Sequence, residues 1–149
     1  MGIKETIVGH KLYLDANLFI YTLEEVAPWV EVTSQIFAAV DAGECTAVAS
    51  ELALAECLVK PFELGHDEVV RQYLDLLQNR RFFTVLPISR DLLIEASRLR
   101  ATTRLKLPDA IHAATALGQG CGFIVTNDDR FRVVPGIQTL YLRDFVTQP

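Results

Sequence analysis

The chain has 149 residues, 50% of them apolar and 22% charged, with a formal net charge of −5. That is enough for one domain, residues 1–149, with its own core. It excludes a disordered chain, and no apolar run approaches the roughly 20 residues needed to cross a bilayer. The excess of acid also argues against holding a polyanion by overall charge alone.

The start of the chain lacks the apolar stretch of a secretory signal. Cys45, Cys57 and Cys121 are odd in number and lack paired metal-ligand spacing, which favours reduced thiols and a cytoplasmic location.

In chain order, residues 12–14 predict a first strand, and 15 to about 25 a short helix after it. Pro28 suits a helix start, and 29–40 carry helical spacing that ends at Gly43. Residues 45–49 read as a second strand, with Ser50 as the N-cap of a helix carrying Glu56. An amphipathic helix follows at 66–79, a third strand at 82–86 and a helix from 90 to about 102. Pro108 opens an apolar helix to about 117, stopped by Gly118 and Gly120. A fourth strand lies at 123–126 and a fifth at 137–142. Strands alternating with helices predict an α/β fold: a three-layer α/β/α arrangement around a mostly parallel sheet of four to five strands.

Acids stand in apolar company at four places. Asp15 and Asp128 each follow a predicted strand, at the carboxyl edge where parallel sheets bind ligands. Asp109 opens the apolar helix, where capping of free N–H groups is its simplest structural explanation. Glu56 has Leu52, Ala53 and Val59 as helical neighbours, so it is expected to point inward, towards either a buried arginine or a shared cation. Four carboxylates without a cysteine pair or histidine cluster suit a hard cation, Mg2+ or Mn2+, rather than zinc, and such clusters serve phosphoryl chemistry. His112, three residues after Asp109, reads as a supporting group. Arg98, Arg100, Arg104 and Lys106 form a basic run without acids. With Arg130 they are the candidate RNA contacts, unless the run is merely a solvated helix face.

At these residues the sequence resembles the PIN-domain ribonucleases, and among them the VapC-type toxins of toxin–antitoxin pairs. The resemblance is carried by Leu14-Asp15-Ala16-Asn17-Leu18-Phe19-Ile20-Tyr21, Ser50-Glu51-Leu52-Ala53-Leu54-Ala55-Glu56, Pro108-Asp109-Ala110-Ile111-His112-Ala113-Ala114-Thr115-Ala116 and Val125-Thr126-Asn127-Asp128-Asp129-Arg130-Phe131. It implies a magnesium- or manganese-dependent endoribonuclease using water as nucleophile. Asp15, Glu56, Asp109 and Asp128 would form the acidic pocket, with the metal on Asp15, Asp109 and Asp128. Asn17 and Thr126 would support the ligands, and Asp129 is an alternative to Asp128. The resemblance further implies a homodimer and a cognate antitoxin whose tail blocks the pocket.

Four other readings compete. A PIN-like nuclease without an antitoxin, or a non-catalytic module binding RNA or protein, would share these residues; the intact acids count against the second. A receiver-like domain needs a late lysine, and no lysine follows Lys106. A phosphatase with Asp15 as nucleophile usually wants an acid two residues on, where this chain has Asn17.

Overall fold

Short runs of β-branched and aliphatic residues alternate with segments of helical period, and the topology follows from that alternation. The computed structural model describes residues 2–146. The strands are β1 (Lys11–Leu14), β2 (Thr46–Ser50), β3 (Phe83–Leu86), β4 (Phe123–Thr126) and β5 (Gln138–Tyr141). They form one sheet in the order β3-β2-β1-β4-β5, with every pairing parallel. The helices are α1 (Ile3–Ile7), α2 (Ala16–Leu23), α3 (Trp29–Asp41), α4 (Glu51–Leu64), α5 (Asp67–Leu76), α6 (Arg90–Thr103) and α7 (Leu107–Gly118). Two 3₁₀ turns, Asp129–Val133 and Leu142–Phe145, flank β5.

Successive strand residues face opposite sides, so each strand feeds two cores. Leu12 and Leu14 of β1, Ala47 and Ala49 of β2 and Val125 of β4 pack beneath α1 to α5. Tyr13, Val48 and Ile124 pack against α6 and α7, where Ala110, Ala113, Ala114 and Ala116 supply a face of small side chains. The two layers enclose the sheet, which explains why its central strands read as unbroken apolar runs.

The strand order reverses at β1. From there the chain moves outward through β2 to β3, and it later returns to build β4 and β5 on the other side. In such sheets the crossovers diverge at this point and leave a crevice beyond the carboxyl ends of the two central strands. Asp15 and Asp128 lie just past those ends, at β1 and β4.

The junctions there are tight. Asp15 alone separates β1 from α2, and its carboxylate caps the helix by accepting from Asn17 N at 3.2 Å. No residue separates β2 from α4: Ser50 closes the strand and its hydroxyl accepts from Leu52 N at 3.0 Å. The expected elements are all present, with small shifts. The second strand runs one residue later than expected, because Ser50 is extended (φ −96°, ψ 150°) and stays in the ladder opposite Leu86 while it caps. The five-residue helix α1 is unforeseen, being too short to show a period.

Gly43 follows α3 with φ +75°, and a Cβ there would stand 2.9 Å from two atoms of the Phe82 ring. Gly9 has φ +77° with nothing within 4 Å of the same position. Gly9→Ala is expected to lose about 1–2 kcal/mol for the left-handed backbone alone. Gly43→Ala is expected to lose more, because Phe82 must also move, and urea unfolding of the two variants measures the difference.

Candidate active site

The four acids come from four separate segments. Asp15 follows β1, Glu56 projects from the second turn of α4, Asp109 sits in the first turn of α7, and Asp128 follows β4. They meet in a cleft of about 230 Å³, also lined by Asn17 and His112. Larger clefts exist between α6 and α7 and between α2, α3 and α5, but neither gathers a comparable set of carboxylates.

Asp15 is buried. Its Oδ1 accepts from the Asn17 amide and its Oδ2 from the hydroxyl of fully buried Thr126. Thr126 Oγ1 in turn accepts from Asp128 N at 2.9 Å, so one hydroxyl ties the ends of β1 and β4 together. Burial pushes the Asp15 carboxyl above its ordinary value of 3.8, with the hydrogen bond from Thr126 opposing the rise. Asp109 is likewise raised by burial, and Arg130 opposes that rise. Among the described residues its carboxylate caps no helix N–H; its partner is Arg130 Nη1 at 3.1 Å. Asp128 moves the other way, held below its ordinary range by the hydrogen bonds of Arg130, whose Nε lies 2.9 and 2.8 Å from its two oxygens.

Glu56 corrects one expectation. It does not point into the core: its side chain is 40% exposed and Val59 is 56% exposed. The buried line of α4 is Ala53, Cys57 and Pro61, at steps of four. Glu56 lies one residue off that line, about 100° around the helix, at the rim of the cleft. Its partner is not an arginine but His112, whose Nε2 is 2.5 Å from Glu56 Oε1.

Asp129 is also placed elsewhere. The 3₁₀ turn after Asp128 carries it away from the cleft, 63% exposed, to pair with Arg132 at 3.0 Å and Arg143 at 2.6 Å. The basic run does not line the cleft either. Arg98 faces Glu95 at 3.4 Å, and Arg100 Nη1 donates to the Leu105 carbonyl at 2.7 Å. Arg104 ends α6 with φ +65°, and Lys106 precedes α7 at its N-cap. Among the described residues, Arg130 is the one arginine that lines the cleft.

Sequence reasoning passed over Tyr13 and Arg143. Tyr13 is an unremarkable core residue until α7 brings His112 to its hydroxyl. Arg143 gives no signal before β5 sets it beside Asp129 and stacks it on Tyr141, 4.1 Å from the ring centre.

The donor set is hard: carboxylate oxygens with hydroxyl and amide support, and with a single guanidinium against four acids. Such a set suits a hard divalent cation. With Asp128 drawn onto Arg130 and Glu56 onto His112, no three His, Cys, Asp or Glu side chains among the described residues are grouped closely enough to enclose an ion.

The raised Asp15 pKa has a signed consequence. The ionised carboxylate costs stability progressively as the pH rises above 3.8, and in full above the raised value; the cost vanishes below 3.8, where folded and unfolded chains are both protonated. Asp15→Asn keeps a good N-cap and removes the charge. The variant is expected to melt higher than the wild type at pH 7, with the gain shrinking as pH drops towards 4, as thermal denaturation across that range would show.

The fold has parallels in known proteins. The family model for the PIN domain matches residues 12–137. No curated protein sequence is significantly similar to the chain. Among solved structures, VapBC2 from Rickettsia felis, bound to a DNA fragment from its promoter, aligns with a TM-score of 0.68 at 16% identity, covering 88% of this chain and 98% of that one. A toxin–antitoxin complex from Klebsiella pneumoniae gives 0.61 at 24% identity, covering 85% and 94%. The sarcin–ricin loop cleaving toxin VapC20 of Mycobacterium tuberculosis gives 0.61 at 13% identity, covering 76% and 86%.

Proposed function

Because the chain belongs to the PIN-domain family, we propose that it is a metal-dependent endoribonuclease, and the toxin of a type II toxin–antitoxin pair. The observation that carries this reading is the convergence of Asp15, Glu56, Asp109 and Asp128, from four separate segments, on one cleft. Carboxylates so crowded need a positive partner, and Arg130 alone does not balance four.

In this proposal Asp15, Asp109 and Asp128 hold Mg2+ or Mn2+. The bound ion supplies charge neutralisation at the phosphorus and lowers the pKa of water. Asn17 and Thr126 keep Asp15 oriented through the hydrogen bonds already described. Glu56 offers a carboxylate oxygen to accept a proton from the attacking water. The water oxygen bonds to phosphorus, one P–O ester bond breaks, and the leaving oxygen takes up a proton. Arg130, at the cleft, and Arg104 and Lys106, in the turn leading to Asp109, are the proposed contacts to the RNA backbone. Arg98 and Arg100, already engaged with Glu95 and the Leu105 carbonyl, are weaker candidates.

The toxin role draws on the structural neighbours, two of which are toxin–antitoxin assemblies. A cognate antitoxin would place a basic side chain among the acids, where limited hydration strengthens a charge pair. A homodimer acting in the cytoplasm completes the proposal. The three cysteines fit that setting: all are free and buried, and burial pushes the Cys57 thiol up to about 12.

Purified protein is expected to cut RNA with Mg2+ or Mn2+, to stop when the ion is chelated, and to resume on its return. Asp109→Asn is expected to fold normally and leave RNA intact, because an amide cannot replace the lost charge. Cleavage by that variant near the wild-type rate would remove the assignment. Induction of the wild-type chain alone in a bacterium is expected to arrest growth, while Glu56→Gln, which keeps the size of the side chain, is not. Equal arrest by both, followed on growth curves, would mean that toxicity is not catalytic.

A further inference from the structure

Beneath Glu56 lies a chain of hydrogen bonds between the sheet and α7. His112 is 2% exposed, with its Nε2 2.5 Å from Glu56 Oε1 and its Nδ1 against the hydroxyl of fully buried Tyr13. The two rings meet edge to face, 5.7 Å between centres. The nearby Ser50 backbone favours the Tyr13 anion. Burial nevertheless keeps the phenol protonated, well above its ordinary value of 10.0.

The directions of these bonds are therefore determined. The hydrogen of the buried Tyr13 hydroxyl needs an acceptor, and among the described residues His112 Nδ1 is its one hydrogen-bond partner. A ring protonated on Nδ1 would donate to the phenol oxygen and leave the buried phenol hydrogen without an acceptor, which folded proteins avoid. With Nδ1 bare, the ring proton sits on Nε2 and points at Glu56. Every hydrogen then has an acceptor, in keeping with the absence of unpartnered buried side-chain nitrogens or oxygens among the described residues.

We propose that His112 is a positioning residue, a neutral imidazole fixed by Tyr13 as its Nε2–H tautomer, which holds Oε1 of Glu56 and leaves the second oxygen of that carboxylate to serve the cleft. Its effect on turnover rests on the ribonuclease reading; its tautomer does not.

Ring-nitrogen correlation spectra of the 15N-labelled full chain at neutral pH test the tautomer, with the three histidines assigned by substitution. The expected pattern for His112 is a protonated Nε2 beside a bare Nδ1. It is expected to persist in Glu56→Gln, where no carboxylate selects it, and to give way to a mixture when Tyr13→Phe is added. A protonated Nδ1 in the wild type, or loss of the pattern in Glu56→Gln alone, overturns the lock by Tyr13.

RNA cleavage tests the consequence. His112→Leu is expected to lower kcat roughly ten- to a hundredfold, the usual effect of removing a group that orients a ligand, with KM little changed. His112→Gln keeps an N–H at similar reach and is expected to recover most of the rate. Equal rates in the two variants, whether high or low, overturn the positioning role. If the wild type cuts no RNA, the ribonuclease reading fails, and the spectra still decide the tautomer.

Discussion

Like charges held close together in a poorly hydrated cleft are the constraint on which the rest of this structure depends. Each carboxylate has a distinct device to make it tolerable. Asp15 is bound by a hydroxyl and an amide, Asp128 is gripped by Arg130, Asp109 shares that guanidinium, and Glu56 leans on His112. The devices leave a residual cost, set chiefly by burial and visible in the raised pKa values of Asp15 and Asp109. A fold optimised only for stability would remove it with apolar substitutions. Retaining such a cluster is the usual mark of a site that must attract a cation.

The scaffold answers that demand through topology and side-chain size. Reversal of strand order between β1 and β4 opens the crevice. The alanine-rich face of α7 lets that helix lie close against Tyr13, Val48 and Ile124, which brings the first turn, with Asp109, beside the strand ends. A bulkier face would hold α7 further out and draw Asp109 away from Asp15 and Asp128. The same close packing sets His112 against Tyr13 one turn further along.

Much of this was legible in the sequence because the strongest signals are local. Strand-like runs ending in an acid located Asp15 and Asp128, and Pro108 with an apolar helix located Asp109. Parallel strands and both helical layers followed from alternation of period. What was not legible depends on rotation and on distant contacts. The inward orientation expected of Glu56 failed because three apolar neighbours do not define a buried line; the line is set by Ala53, Cys57 and Pro61, which the sheet selects. Asp129 and Asp128 are adjacent and equally acidic, and only the 3₁₀ turn sends them to different sides. The link from Tyr13 to His112 spans 99 positions and has no sequence signature.

The direct passage from β2 into α4 has a consequence for how the gene can change. Ser50 is the last residue of the strand and the cap of the helix at once. No slack remains to absorb a change of length. Inserting one codon between Ser50 and Glu56 would turn the rest of α4 by about 100° and advance it 1.5 Å, carrying the acid off the rim. The connection from α5 to β3, residues 77–82, leads to no acid of the cleft. Indels there would leave the reading of the sheet edge intact, so length drift in descendants of this chain should be filtered by junction, with the strand-to-helix seams frozen and the outer connections free to vary.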